Sequence, residues 1–243
     1  MRTRGKKRRK RLDDLKVYEL TMRTFLLRDL NNQEAQGQLA KLLVEYLSKD
    51  EKFLALHKSK EYKPYCFDSL YPIKKLYPKE HIYQFRIRSI NPSLVNYLLN
   101  SFANFQNTTF KNLTIDARVI ANSPLDKVFT LTPVLIKNNQ GYWKDHMSTD
   151  TFERRIQENL FKKYKYFVRE DILEDTFYQN IRFLNNAPIG MPLKGKVLLG
   201  DKIELTLHLN DMSQKLAYLA LGTTFSENNS YGCGFLGYKY LRR

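Results

Sequence analysis

The chain has 243 residues, of which 41 are Lys or Arg and 25 are Asp or Glu, for a formal net charge of +16. Hydrophobic residues make up 42%, which supports a packed core, excludes a wholly disordered chain, and at this length suits one large domain or two small ones. No run approaches the ~18 apolar residues of a membrane span, the two isolated cysteines (Cys66 and Cys233) make neither a disulfide framework nor a zinc site, and the charge surplus points to a polyanionic partner.

Eight of the basic residues fall within the first twelve positions, MRTRGKKRRKRL. Residues 1–14 therefore read as a basic, disordered arm, and no apolar stretch follows that would make it a secretory signal. Tyr18, Leu20 and Met22 alternate with Glu19, Thr21 and Arg23, the pattern of a half-buried strand. Leu39, Leu42, Leu43, Tyr46 and Leu47 then fall on one helical face. Residues 50–64 are polar and read as a loop or helix end. Strands are expected near 65–70 and 82–88. Asn91-Pro92-Ser93 starts a helix whose stripe is Leu94, Leu98, Phe102 and Phe105. A strand near 113–121 closes a β-α-β-β-α-β unit, the ferredoxin-like order.

Ser123-Pro124 marks a boundary, giving units of 15–123 and 124–243. The second unit opens on an apolar strand, Val128 to Ile136, and a turn at Asn138-Asn139-Gln140-Gly141. A long helix follows with Phe152, Ile156, Leu160 and Tyr164 inward. Strands are expected near 177–185 and 194–199. Gly200-Asp201 turns into the alternating run Ile203, Leu205, Leu207, Leu209. A short helix carries Met212, Leu216 and Leu219, a Gly/Ser/Asn loop spans 222–234, and a last strand starts at Phe235. The order is again β-α-β-β-α-β. The fold class expected is α+β: two ferredoxin-like domains in tandem.

The loop carries the most specific signal. Its residues Ser226-Glu227-Asn228-Asn229-Ser230-Tyr231-Gly232-Cys233-Gly234-Phe235 precede the final strand. Glycines permit positive φ and close approach of backbone to a ligand, and Tyr231 offers a face for a base. This segment resembles the glycine-rich signature of the CRISPR-associated RAMP proteins, in particular the endoribonucleases that cut CRISPR precursor RNA within its repeats. The core E-x-N-S-x-G-x-G is kept. Two upstream glycines of that signature stand here as Thr224 and Ser226. At the other end of the chain, Leu56-His57-Lys-Ser-Lys-Glu-Tyr-Lys63-Pro-Tyr65 resembles the family's histidine, with a lysine six residues on and an aromatic strand behind it.

The resemblance implies RNA cleavage that needs no metal or other cofactor. The RNA's own 2′-OH attacks the adjacent phosphorus, leaving 2′,3′-cyclic phosphate and 5′-OH ends. His57 is expected as general acid or base and Lys63 as the stabiliser of phosphoryl charge. The family often adds a tyrosine on the first helix. Leu42 holds the matching position, and Tyr46, one turn later, is the third candidate, with a place in the apolar stripe as its plain alternative. RNA contacts are expected from Arg154, Arg155, Lys162 and Lys163 on the long helix, and from Lys194 and Lys196 on a basic hairpin. In the loop they are expected from Ser226, Asn228, Asn229, Ser230, Tyr231, Gly232 and Gly234. The implied partners are CRISPR repeat RNA, the processed crRNA and other effector subunits, with the chain a cytoplasmic monomer or homodimer and no membrane role. The alternatives are a non-catalytic RAMP subunit that only binds crRNA, and a general nucleic-acid-binding protein.

Overall fold

The computed structural model describes residues 15–136, 141–172, 174–193 and 195–242. The basic arm, Lys194 and most of the turn expected at 138–141 lie outside them.

The first half runs β1 (Tyr18–Leu26), β2 (Leu30–Asn31), α1 (Asn32–Leu47), α2 (Glu51–Lys58), β3 (Tyr65–Phe67), β4 (Leu76–Tyr77), β5 (Ile82–Ser89), α3 (Pro92–Ser101) and β6 (Phe110–Val119). Four of these strands form an antiparallel sheet in the order β6-β1-β5-β3, with Leu20 opposite Ile87 and Met22 opposite Phe85. Leu20, Met22 and Leu26 face a core shared with Leu39, Leu42, Leu43 and Leu98. Burial of each such side chain contributes about 1.5–3 kcal/mol. Asn91 caps α3 by accepting from the amides of Ser93 and Leu94, with Pro92 in the first turn.

The second half runs β7 (Leu125–Thr130), α4 (Thr149–Val168), β8 (Tyr178–Phe183), β9 (Ile189–Leu193), β10 (Lys196–Gly200), β11 (Ile203–Leu207), α5 (Asp211–Thr223) and β12 (Leu236–Tyr240). Its sheet has the order β12-β7-β11-β8, the same antiparallel permutation as the first. Both units are therefore ferredoxin-like, and the class is α+β. The β9–β10 hairpin is an insertion between the second and third strands of this sheet and packs beside α1.

Several local expectations change. Residues 51–58 form a helix, because the Asp50 carboxylate accepts from the amides of Lys52 and Phe53. The strand expected at Val128–Ile136 starts earlier and stops at Thr130. Pro133 lacks an N–H, and pairing resumes only as a bridge between Val134 and Asp201. The strand ending at Leu209 stops at Leu207, since Asn210 caps α5 and leaves Leu209 exposed. The short helix is longer than expected, and the loop begins at Thr224.

The two units are packed on one another. The hydroxyl of Tyr218 on α5 accepts from the amide of Val17 and donates to the carbonyl of Ile120. A side chain at Gly222 would collide with Ile90. Arg88 on β5 lies buried against the rings of Phe235 and Tyr238 and donates to the carbonyl of Leu236. Among the described residues, no helix is long and apolar enough to cross a membrane.

Candidate active site

His57 sits in the last turn of α2, on the wall of a cleft of about 880 Å³ between the two units. Lys63 lines the same cleft. Its ammonium caps the end of α2: it donates to the carbonyls of Leu56 and Ser59 and to the Ser59 hydroxyl. Burial lowers the Lys63 pKa, and Glu61 opposes that shift. Lys63 thus holds the turn that carries His57, while its charge remains at the cleft wall.

The loop after α5 supplies the opposite wall. Thr224 has φ 54° and ψ 168°, a region that favours glycine, at one of the two positions where the family signature has one. The strain is held by a buried cation below. The Lys163 ammonium donates to the carbonyls of Thr223, Thr224 and Ser226, each at 2.9 Å. The Ser226 hydroxyl accepts from the amide of Leu135. Asn229 reaches back to the first unit, its side-chain amide donating to the carbonyls of Lys63 and Tyr65. That contact joins the loop to the segment behind His57. Gly232 and Gly234 both have positive φ. A Cβ on Gly232 would run into Gln36, and one on Gly234 into Ser226.

This placement corrects part of the sequence reading. Lys163 borders the cleft but is only 1% exposed, and its ammonium is committed to three backbone carbonyls, so it shapes the loop. Ser226 is buried, and Asn229 is committed to backbone carbonyls, so both shape the loop instead of presenting donors. Tyr46 is a core residue. Its hydroxyl donates to the Tyr97 carbonyl and meets the Ser101 hydroxyl, its ring packs on Tyr97, Phe102 and Phe105, and it does not line the cleft. Arg154 is exposed, pairs with Glu158 and lies outside the lining. Lys196 is exposed on the hairpin, also away from it.

Arg155, Lys162, Asn228, Ser230 and Tyr231 line the cleft, as do the backbone-committed Lys163, Ser226 and Asn229. Arg155 pairs with Glu227 at 3.0 Å, and Lys162 pairs with Glu158. The Asn228 side-chain nitrogen is buried and has no hydrogen-bond partner among the described residues. Lys58, Lys60 and Asn159 line it too. They are not among the contacts expected from sequence, although Lys58 and Lys60 follow His57 in a local run of charge. Among the described residues, no three His, Cys, Asp or Glu side chains gather in a way that would hold a metal ion.

No family model matches the chain. It is 22% identical over 241 residues to "CRISPR-associated endoribonuclease Cas6 2" of Methanocaldococcus jannaschii, covering 91% of this chain and 98% of that protein. Among solved structures, "An RAMP protein binding different RNA substrates" superposes with a TM-score of 0.68 at 16% identity, over 91% of this chain and 99% of that one. "CRISPR associated protein Cas6" superposes with a TM-score of 0.66 at 14% identity, over 92% and 99%. The fold is the tandem ferredoxin-like arrangement of the CRISPR-associated RAMP proteins. Along its length the chain resembles, more particularly, the Cas6 endoribonucleases.

Proposed function

We propose that the chain is an endoribonuclease that cuts CRISPR repeat RNA to make crRNA, with the cleft between the two units as its active site. The observation that carries this reading is a convergence. His57 and Lys63 come from one end of the chain and Asn228, Ser230 and Tyr231 from the other, yet all line one cleft. The reaction is transesterification. The 2′ oxygen forms a bond to phosphorus as the P–O5′ bond breaks, so a proton must leave the 2′ oxygen and another must reach the 5′ oxygen. His57 performs one of these transfers, and Lys63 supports it by fixing the His57 turn and placing positive charge at the wall. Arg155 and Lys162 meet phosphates once RNA displaces Glu227 and Glu158, pairs that are weak when partly solvated.

The test uses repeat RNA, with the cut mapped and its ends identified. His57→Ala should slow cleavage about 100- to 10,000-fold, the usual worth of general acid–base catalysis, and leave RNA affinity nearly unchanged. Cleavage should persist in excess chelator and yield 2′,3′-cyclic phosphate. Undiminished cutting by the alanine variant would remove His57 from the mechanism, and complete loss in chelator would remove the metal-independent route.

A second reading has one observation in its favour. The three donors of the Lys63 ammonium are directed at protein acceptors, and the family's helix tyrosine is absent at Leu42, which suits a crRNA-binding RAMP subunit without catalysis. Binding of repeat RNA with no cleavage by the wild-type chain would favour it.

A further inference from the structure

On the far side of His57 lies a second, smaller cleft of about 230 Å³. Its walls are Gly37, Ala40 and Val44 on α1, Pro192 on β9, and Tyr231, with His57 at the end it shares with the larger cleft. The two clefts differ in chemistry. The larger carries Lys58, Lys60, Arg155 and Lys162, whereas the smaller is mainly aliphatic and aromatic, with the Gln36 amide, Lys41 and the shared His57 as its polar side chains. Gln36 is fixed there: it accepts from the Ser69 hydroxyl and donates to the Tyr231 carbonyl.

Gly37 is the informative residue. It stands inside α1, where glycine is destabilising relative to alanine. Nothing in the backbone asks for it, since its φ is not positive. Gly37 is exposed, and a Cβ there would meet no atom of the described residues within 4 Å. Neither a positive φ nor a contact with a described residue accounts for the glycine, and it leaves this part of the cleft wall without a side chain.

We propose that this cleft receives one nucleobase of the RNA, the base next to the scissile phosphate, stacked against Tyr231 and the open face of α1 at Gly37. The inference rests on the endoribonuclease reading for the position of that phosphate at His57. A strand whose backbone crosses His57 has phosphates on the cationic side, and an adjacent base is within reach of the apolar side. The volume is below the ~300–1,000 Å³ of ordinary ligand pockets, which suits one planar ring system instead of a folded RNA element. Apolar walls with a ring on one side bind bases by stacking.

Two RNAs test this, each with a single abasic ribonucleotide, one 5′ and one 3′ of the cut. The sugar and its 2′-OH are retained. For the wild type, one of them should lose about tenfold to a hundredfold in kcat/KM, the range that a base–aromatic stack provides. Gly37→Leu fills the cleft. It should slow the intact RNA by the same factor and leave the affected abasic RNA unchanged, because that RNA has no base to exclude. Gly37→Ala controls for folding and should melt no lower than the wild type. A second measurement is independent of cutting: 2-aminopurine at the same nucleotide should lose fluorescence on binding to the His57→Ala chain, and Gly37→Leu should abolish that quenching. Full-rate cleavage of both abasic RNAs, equal slowing of intact and abasic RNA by Gly37→Leu, or quenching that survives it overturns the base cleft. Absence of any wild-type cleavage overturns the endoribonuclease reading instead, and the quenching still decides whether a base enters.

Discussion

At the scale of single residues, Lys163 is the most instructive. A basic surface on α4 was expected to include it, yet its spacing says otherwise. Lys163 is i+3 from Leu160 and i+7 from Ile156, both buried, and so lies within the apolar stripe. What the sequence did not reveal is the partner, the bent backbone at 223–226 with three carbonyls pointing down at α4. Burial pulls the Lys163 pKa from its ordinary 10.5 to about 7. Between those values the unfolded chain holds a proton that the folded one has released. This group's contribution to stability therefore rises with pH across that window and is level on either side. Lys163→Met leaves buried carbonyls without a donor, at about 1–3 kcal/mol each, and should destabilise the chain by about 3 kcal/mol or more. The melting-temperature gap between wild type and variant, in which other titrating groups cancel, should widen from pH 7 to pH 9.5. A gap that narrows would contradict this account. The same variant should bind repeat RNA more weakly, since Thr224 loses what holds its strained φ.

At the scale of elements, legibility followed periodicity. β1, α1, α3 and α4 each bury a regular face of their own, and their stripes were readable. α2 buries only Phe53 and has no stripe, so it read as a loop, although Asp50 as cap and His57-Lys58 in the last turn were signals of a helix. The β9–β10 hairpin was half visible. β10 is largely exposed, and the residue that anchors it finds its partners far away in sequence. That anchor is Asp201, read only as a turn residue. Its buried carboxylate accepts from the Tyr142 hydroxyl at 2.7 Å, Trp143 Nε1 at 2.6 Å, Lys144 Nζ at 3.1 Å and Asn185 Nδ2 at 2.9 Å. Removing one partner of such a buried network costs about 3–5 kcal/mol. Asp201→Ala should lower stability to denaturant by that order. It should also speed amide exchange across 189–200 more than across α1, and uniform acceleration would mean that Asp201 does not act through the hairpin. If Asp201 does act through the hairpin, its loss moves Pro192, and the smaller cleft should widen.

At the scale of the whole molecule, the candidate site exists only while the two units stay docked. His57 belongs to the first unit and Tyr231 to the second. Strand alternation places Glu19 on the face of β1 away from its core, where an acid would ordinarily meet water. Instead it is buried under the second unit and pairs with Arg88 at 2.7 Å and Arg118 at 2.6 Å. Burial alone pushes the Glu19 carboxyl up, but the two guanidinium groups outweigh it and hold its pKa below 4.5. No sequence pattern announces that Arg88 meets a carbonyl 148 positions later. The fold class of the two halves is legible in the sequence, whereas the contact between them is not. The two arginines should behave differently. Arg118 is 65% exposed, and Arg118→Met should change stability by no more than about 1 kcal/mol. Arg88 is enclosed, and Arg88→Met leaves Glu19 and the Leu236 carbonyl short of a donor, a loss of about 3–5 kcal/mol. Because the lost contact joins the units, Arg88→Met should also lower repeat-RNA affinity and cleavage together at temperatures where both units remain folded by circular dichroism. Equal effects of the two substitutions on stability, or an Arg88→Met chain that cuts RNA at the wild-type rate, would show that something other than this buried pair sets the angle between His57 and the loop.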